Sequence, residues 1–368
     1  MRKKFLILML FAMVLVTGAC STETEYRSFP ELSGLDDLHQ TTGQVLNPYQ
    51  GVFAFDMVDG DLTEQIEVSG LDEIPTNHRN QLSIPGTYTI TYSVRNAEGA
   101  ETRETRNVVV AGDALPEYEL VWYDEFDYVG PPNPDKWNFD IGGGGWGNQE
   151  LQYYTDRPEN AYVDNGVLRI SLIRESYSFR HYTSARLTTK DRAAWLYGRI
   201  EVRAKLPEGL GTWPAIWMLP VNSPYGGWPH GGEIDIMEHV GYAPNIIHST
   251  IHTNQYNGMI GTQIGNSRQV PTATTAFHVY AVEWTETALD FYVDDTLIFS
   301  YPFIIDDFNQ LDPSEYWKIW PFDQEFYLIL NIAMGGTWGG LMGVDPNFTY
   351  TEMLIDYVRV YQRVDVNN

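Results

Sequence analysis

Apolar and polar residues alternate through much of this chain with a period of two, which is the period of a strand that buries one face. Tyr88, Ile90, Tyr92 and Val94 alternate with Thr89, Thr91 and Ser93. Pro85-Gly86 opens that strand, and the turn residues from Asn96 to Gly99 close it. Val108, Val109 and Val110 predict a last strand, so residues 45–112 read as one compact β-type segment. Residues 21–44 are polar and poor in aromatics, and read as a tether. After residue 115 strand-like runs recur at Leu120–Tyr123, Val167–Leu172, Gly198–Leu206, Ile246–His252, His278–Trp284, Leu289–Val293, Phe326–Ala333 and Leu354–Tyr361. Turn residues separate them and no long stretch has a helical period. An all-β chain follows, built of sandwiches or a jelly roll.

The N-terminus breaks the pattern. Arg2, Lys3 and Lys4 precede an unbroken apolar run from Phe5 to Val16. That run falls short of the ~20 residues a transmembrane helix needs, and residues 1–19 read as a secretory signal. Val16-Thr17-Gly18-Ala19-Cys20 resembles a bacterial lipobox, with Thr17 where Leu is usual. Lipidation of Cys20 is expected, with residues 20–44 as linker; ordinary signal cleavage is the other reading. Cys20 is the single cysteine, so no intramolecular disulfide can form.

With 368 residues, two domains are a fair expectation. Apolar residues make up 43% and aromatics 14%, enough to build packed cores. All eleven tryptophans lie after residue 115. The formal net charge of -26 disfavours nucleic acid and anionic lipid, both of which reward clustered Lys and Arg. A neutral polymer such as a polysaccharide is compatible, and any membrane attachment would run through the lipid. A monomer is expected.

The strongest chemical signal is Gly232-Glu233-Ile234-Asp235-Ile236-Met237-Glu238. In a strand Glu233 and Asp235 share one face while Ile234 and Ile236 enter the opposite layer. Glu238 is out of phase by one residue, and a β-bulge near Met237 would return it to the acidic face. Three carboxyls on one stripe repel and raise at least one pKa. Glycoside hydrolysis needs such a pairing of one ionised and one protonated carboxyl. A solvated acidic strand would explain the acids but not the nearby Trp213, Trp217 and Trp228. Tryptophan rings can stack on the C–H face of a pyranose, or simply pack a core.

Residues 116–363 resemble glycoside hydrolase family 16, in its bacterial laminarinase-like endo-β-1,3-glucanase branch. The acid motif with its extra Met carries the resemblance, together with Trp122 to Phe126, Trp146 to Tyr154, Tyr182 to Arg186, Trp213 to Trp217, Asn331 to Gly336 and Asp356 to Tyr361. It implies a β-jelly roll with an open glycan cleft and a retaining mechanism. Glu233 would be the nucleophile, Glu238 the acid/base, and Asp235 would tune both. Asn148, Arg186, Trp213, Trp217 and Trp228 would line sugar subsites, with His252 on the leaving-group side. A structural calcium ion is expected at Glu125, the Gly166 carbonyl and Asp356. No cofactor is expected for catalysis, and His248 with His252 do not make a zinc site. The pattern Phe55-Asp56 to Thr63, followed by Pro85 to Tyr88, resembles bacterial immunoglobulin-like surface modules, a smaller sandwich serving as spacer. Its acids read as a solvated loop. Gly142 to Gly145 reads as a flexible loop at the cleft rim. Mixed-linkage tolerance, transglycosylation, another glycan such as agar or carrageenan, and a non-catalytic glucan receptor stay open as alternatives.

Overall fold

The computed structural model describes residues 28–76, 80–112, 118–304 and 311–364. Cys20 and the signal segment lie outside them. The chain forms two compact units, Met1–Leu115 and Pro116–Asn368. Among the described residues no helix is long and apolar enough to cross a membrane.

The first unit is a small sandwich. One sheet orders Leu38–Thr41, Glu101–Ala111, Gly86–Arg95 and Glu67–Ser69; the other orders Glu31–Ser33, Phe53–Asp56 and Gly60–Asp61. Ile90, Tyr92 and Val94 are fully buried, as the alternation requires, and meet Val108, Val110, Leu38, Val52 and Leu82 in one core. Two expectations fail here. Part of the expected tether instead supplies two strands, Glu31–Ser33 and Leu38–Thr41, of which Leu38 enters the core. Such short strands with one apolar anchor carry too few residues to show a period. Nor is the acidic loop wholly solvated. Asp56 is buried and accepts from Val58 N, Asp59 N, Ser28 Oγ and Asn96 Nδ2. A buried carboxylate persists when its oxygens are satisfied this way, and it fixes the turn that follows Phe53–Asp56 through Val58 and Asp59.

The second unit packs two large sheets face to face. The first runs Gln152–Tyr154, Arg180–Ser184, Val167–Tyr177, Tyr350–Arg363, Gly198–Lys205, His278–Trp284, Ala288–Val293 and Thr296–Pro302, with Ala161–Asp164 and Tyr118–Asp124 on its flank. The second runs Ile264–Gln269, Ile246–His252, Glu233–Glu238, Thr212–Pro220, Phe326–Met334, Arg186–Thr188 and Asn138–Phe139. Between them lies one apolar layer that includes Ile200, Val202, Ile216, Met218, Ile234, Ile251, Leu328, Leu330, Val358 and Val360. Every run named above as strand-like lies on one of these strands, apart from Leu206 at the end of its own. Phe326–Met334 departs from alternation because all nine residues are buried. One of its faces enters the apolar layer, and its other face is roofed by side chains of neighbouring strands.

Each unit has its own core, so the chain from Pro116 onward, expressed alone, should show a single cooperative thermal transition. A calorimetric scan of that fragment with no transition would make the first unit part of the second unit's fold.

Candidate active site

Gly232 sets the entry to the acidic strand. It has φ +86, and a Cβ there would lie 2.7 Å from Pro321 Cγ, so the chain turns into Glu233 through a position open to glycine. Asp235 pairs with Thr250, but Glu238 pairs with His248, so Ile236 and Met237 together face Ser249 alone. This is the expected bulge. Ser249 Oγ donates to Ile236 O at 2.9 Å and ties it down. Ile236 and Met237 both point into the core, and Glu238 rejoins the face of Glu233.

That face opens on a cleft of 1130 Å³. Glu233, Glu238, Asn148, Arg186, Trp213, Trp217, Trp228 and His252 all line it. Asp235 lies beneath and is only 2% exposed. Trp213 Nε1 donates to Glu238 Oε1 at 3.0 Å. Gly258 N donates to His252 Nδ1 at 3.1 Å, so the neutral imidazole carries its proton on Nε2. Nε2 lies 3.2 Å from Asp235 Oδ2, without an aligned hydrogen bond, and 3.9 Å from Glu233 Oε1. These donor atoms lie within 4.8 Å of one another and could hold a metal ion. Each has another use, as carboxyls sharing protons beside an imidazole N–H.

Removal from water raises all three carboxyl pKa values. Glu233 is pushed up to about 8 by burial and then by the Asp235 charge, with His252 and the Trp228 indole pulling the other way. Glu238 is pushed up to about 7 by burial, against the Trp213 hydrogen bond. Asp235, the deepest, is raised well above its usual range by burial and by Glu238. The trio therefore titrates as a unit.

Arg186 is placed differently from a simple sugar ligand. It is buried, its guanidinium lies 4.7 Å from the rings of both Trp146 and Trp217, and Asp140 Oδ2 accepts from its Nε at 2.9 Å. Two cation–π contacts make it a clamp that ties together two cleft tryptophans. Trp213 meets Trp338 edge-on, and Trp338 meets His248. Trp146, Trp338, His248, Thr250, Met259 and Gln263 also line the cleft, and the sequence reading did not single them out as ligands. Trp146 and Trp338 each sit beside a glycine-rich turn, and that pairing was the available signal. The Gly142 loop does lie at the rim, but it is tied rather than loose. Gly142 and Tyr154 exchange both backbone hydrogen bonds, and Asn148 N and Glu150 N both donate to Gly145 O. Trp146 holds φ +50 there, a strained value for a bulky residue.

The expected calcium ligands are already engaged. Arg359 donates to both oxygens of Glu125 at 2.8 Å, Arg203 pairs with Asp356, and Gly166 sits in the turn before Val167–Tyr177. Calcium takes about 6–8 oxygen ligands. One carbonyl and two acids already neutralised by arginine do not fit that demand as arranged.

The profile of Glycosyl hydrolases family 16 matches residues 148–358. That of Bacterial surface protein, Ig-like domain matches residues 30–110. A beta-glucanase of Rhodothermus marinus is 56% identical over 256 residues, covering 69% of this chain and 88% of that protein. The X-ray structure of the laminarinase from Rhodothermus marinus superposes with a TM-score of 0.64 at 57% identity, over 68% of this chain and all 100% of that one. A mutant of SCLam, a non-specific endo-β-1,3(4)-glucanase, superposes with a TM-score of 0.61 at 43% identity, over 67% of this chain and 95% of that one. It was co-crystallised with 1,3-β-D-cellotriosyl-glucose and presents 1,3-β-D-cellobiosyl-glucose at its active site.

The raised carboxyls give a signed prediction for stability. An acid whose folded pKa exceeds its unfolded value binds more protons folded, so stability falls as pH rises from about 4.5 toward 8. Glu238→Gln removes one of these charges. Its Tm should exceed wild type by a few degrees at pH 8 and match it near pH 4.5, at roughly 2–4 °C per kcal/mol for a unit of this size. A Tm difference that calorimetry finds independent of pH would refute the electrostatic account.

Proposed function

The chain belongs to glycoside hydrolase family 16, and on that footing we propose that it is an endo-acting, retaining hydrolase of β-1,3-glucan with tolerance for mixed β-1,3-1,4 linkages. One observation carries the reading: the bulge at Ile236 and Met237 brings Glu233 and Glu238 to one face, above Asp235 and inside a tryptophan-lined cleft. Similarity to a beta-glucanase and to a non-specific endo-β-1,3(4)-glucanase supports the linkage range.

In this reading Glu233 attacks the anomeric carbon while Glu238 gives its proton to the departing glycosidic oxygen. A glycosyl ester on Glu233 results. Glu238, now ionised, takes a proton from water, whose oxygen attacks the same carbon and frees Glu233. A carboxyl with a pKa near 7 is suited to both halves of that exchange. Glu233 must be ionised to attack. Burial raises both Glu233 and Asp235, so attack requires any proton held between them to be on Asp235. Two carboxyls thus supply nucleophile and proton, and the reaction asks for no cofactor. Trp213 orients Glu238, and His252 offers its Nε2–H beside Glu233. Trp228 is 44% exposed over the cleft and offers a stacking face to a pyranose.

The chain is exported, as its surface-type module indicates. The basic N-terminus, the short apolar run and Cys20 further support a lipid anchor, with the enzyme acting as a monomer at the cell surface. Expressed in a bacterium, wild type should take up labelled palmitate and Cys20→Ala should not; equal labelling of both removes the anchor from the proposal.

The catalytic assignment makes stereochemical predictions. Glu238→Ala should lose at least about 10²-fold in kcat on laminarin, the low end for a general acid. With an activated aryl β-glucoside, azide should restore its turnover and give a β-glycosyl azide. Glu233→Ala should give the α-azide instead. Proton NMR of wild-type hydrolysis should show the β-anomer first; the α-anomer first would exclude Glu233 as nucleophile. Reducing-sugar release should be greatest on laminarin, lower on lichenan, and absent on agarose and carrageenan.

A further inference from the structure

Glu150 is a carboxyl that the mechanism leaves without a role. It is 5% exposed, lies off the cleft surface, and is held against Gly335 by an isolated bridge. No arginine or lysine pairs with it among the described residues. Its oxygens instead accept from Gln152 Nε2 at 2.5 Å, from Tyr154 Oη at 3.3 Å and from Asn148 Nδ2 at 3.4 Å. Burial raises its pKa against these bonds and the charge of Arg186, and a buried acid whose hydrogen-bond donors are all neutral is costly to keep, so its place needs a reason beyond packing.

The donors lead back to the cleft. Asn148 lines it directly. Tyr154 is fully buried and, with its hydroxyl proton directed at Glu150, keeps its oxygen free as an acceptor. Asn331 Nδ2 donates to that oxygen at 3.0 Å. The Asn331 amide can then face only one way, with Oδ1 turned to Trp217, whose Nε1 donates to it at 2.7 Å. Indole N–H is a donor only, so the Trp217 end sets the direction of each bond as far as Glu150, which accepts at the other end. On its ring face Trp217 is pressed by the Arg186 guanidinium. An edge hydrogen bond and a face contact together fix the tilt of the ring, and the edge bond traces to Glu150.

We propose that Glu150 is a positioning residue for glucan binding, setting Asn148 directly and Trp217 through Tyr154 and Asn331. It touches neither the sugar nor the reacting carboxyls. Its effect falls on how firmly the glucan is held and not on bond cleavage. The inference rests on the glucanase reading, which the wild-type assay on laminarin tests separately.

The experiment uses the full chain with Glu150→Gln, Tyr154→Phe and the double variant. Glutamine keeps the shape of Glu150 but replaces one acceptor oxygen with an NH2 donor, so it cannot accept from Gln152, Tyr154 and Asn148 together. Phenylalanine cuts the chain in the middle and leaves Gln152 and Asn148 on the carboxylate. On a laminari-oligosaccharide, KM should rise about tenfold in Glu150→Gln and several-fold in Tyr154→Phe, with kcat within about twofold of wild type, as loss of uniform binding requires. The double variant should be no worse than Glu150→Gln, because both changes break one chain. Tryptophan fluorescence quenching by the oligosaccharide should shift to higher concentration by the same factor. The pH profile of kcat should keep its limbs, since the catalytic trio is untouched. Unchanged KM in both single variants overturns the proposal, whatever their Tm. So does a fall in kcat at constant KM, or effects that multiply in the double variant. If Glu150→Gln fails to fold, Tyr154→Phe alone decides through its KM.

Discussion

Three carboxyl groups on six consecutive residues of one strand, taken largely out of water, are the constraint around which the second unit is arranged. Like charges at such spacing cannot all ionise, and burial makes each ionisation harder still. The strand resolves this with protons rather than with a lysine or arginine, since the nearest basic group is the His252 imidazole, whose Nδ1 accepts from Gly258 N–H. A lysine or arginine in the place of His252 would hold the acids ionised and remove the acid form that glycoside cleavage needs. The apolar surroundings and the absence of a strong ion pair within the trio are therefore parts of one device.

Such a device destabilises the fold where it sits, and the surroundings offset it. Phe326–Met334 is buried along its whole length beside Thr212–Pro220, the strand next to the acids. Full burial of a Leu or Ile side chain contributes about 1.5–3 kcal/mol, and that strand contains several. The bulge uses the same logic locally. It places Ile236 and Met237 side by side in the core, so the extra residue that rotates Glu238 outward also adds an apolar anchor. The acid/base reaches its position without a hole in the layer beneath.

Much of this was legible in the chain itself, for physical reasons that differ from place to place. The strands showed because half-burial forces a period of two, as in Ile90, Tyr92 and Val94. The bulge showed because Glu238 is out of phase with two acids that are in phase. What stayed hidden had no local period. Glu31–Ser33 and Leu38–Thr41 are too short to display one, and their polar composition is that of a tether. Trp146 and Trp338 come from loops, where only the fold decides which side chains meet. Arg186 was legible as a cleft residue, but its clamp between two tryptophans joins residues far apart in sequence. The same holds for Glu125 and Asp356, whose partners Arg359 and Arg203 are set by strand register rather than by any motif.

The strand that stabilises the cleft also carries part of its binding surface. Asn331 lies in the fully buried run, and its amide meets both Tyr154 and Trp217. Packing in that layer is close, so a change of volume at Leu330 or Ile332 would be absorbed partly by movement of the backbone between them. A shift of a few tenths of an ångström is small for the core and large for a hydrogen bond of 2.7 Å to an indole. Core and subsite are therefore coupled through one side chain. Loosening the layer would be felt first as weaker glucan binding, ahead of any loss of fold, because hydrogen-bond geometry fails over shorter distances than hydrophobic contact does.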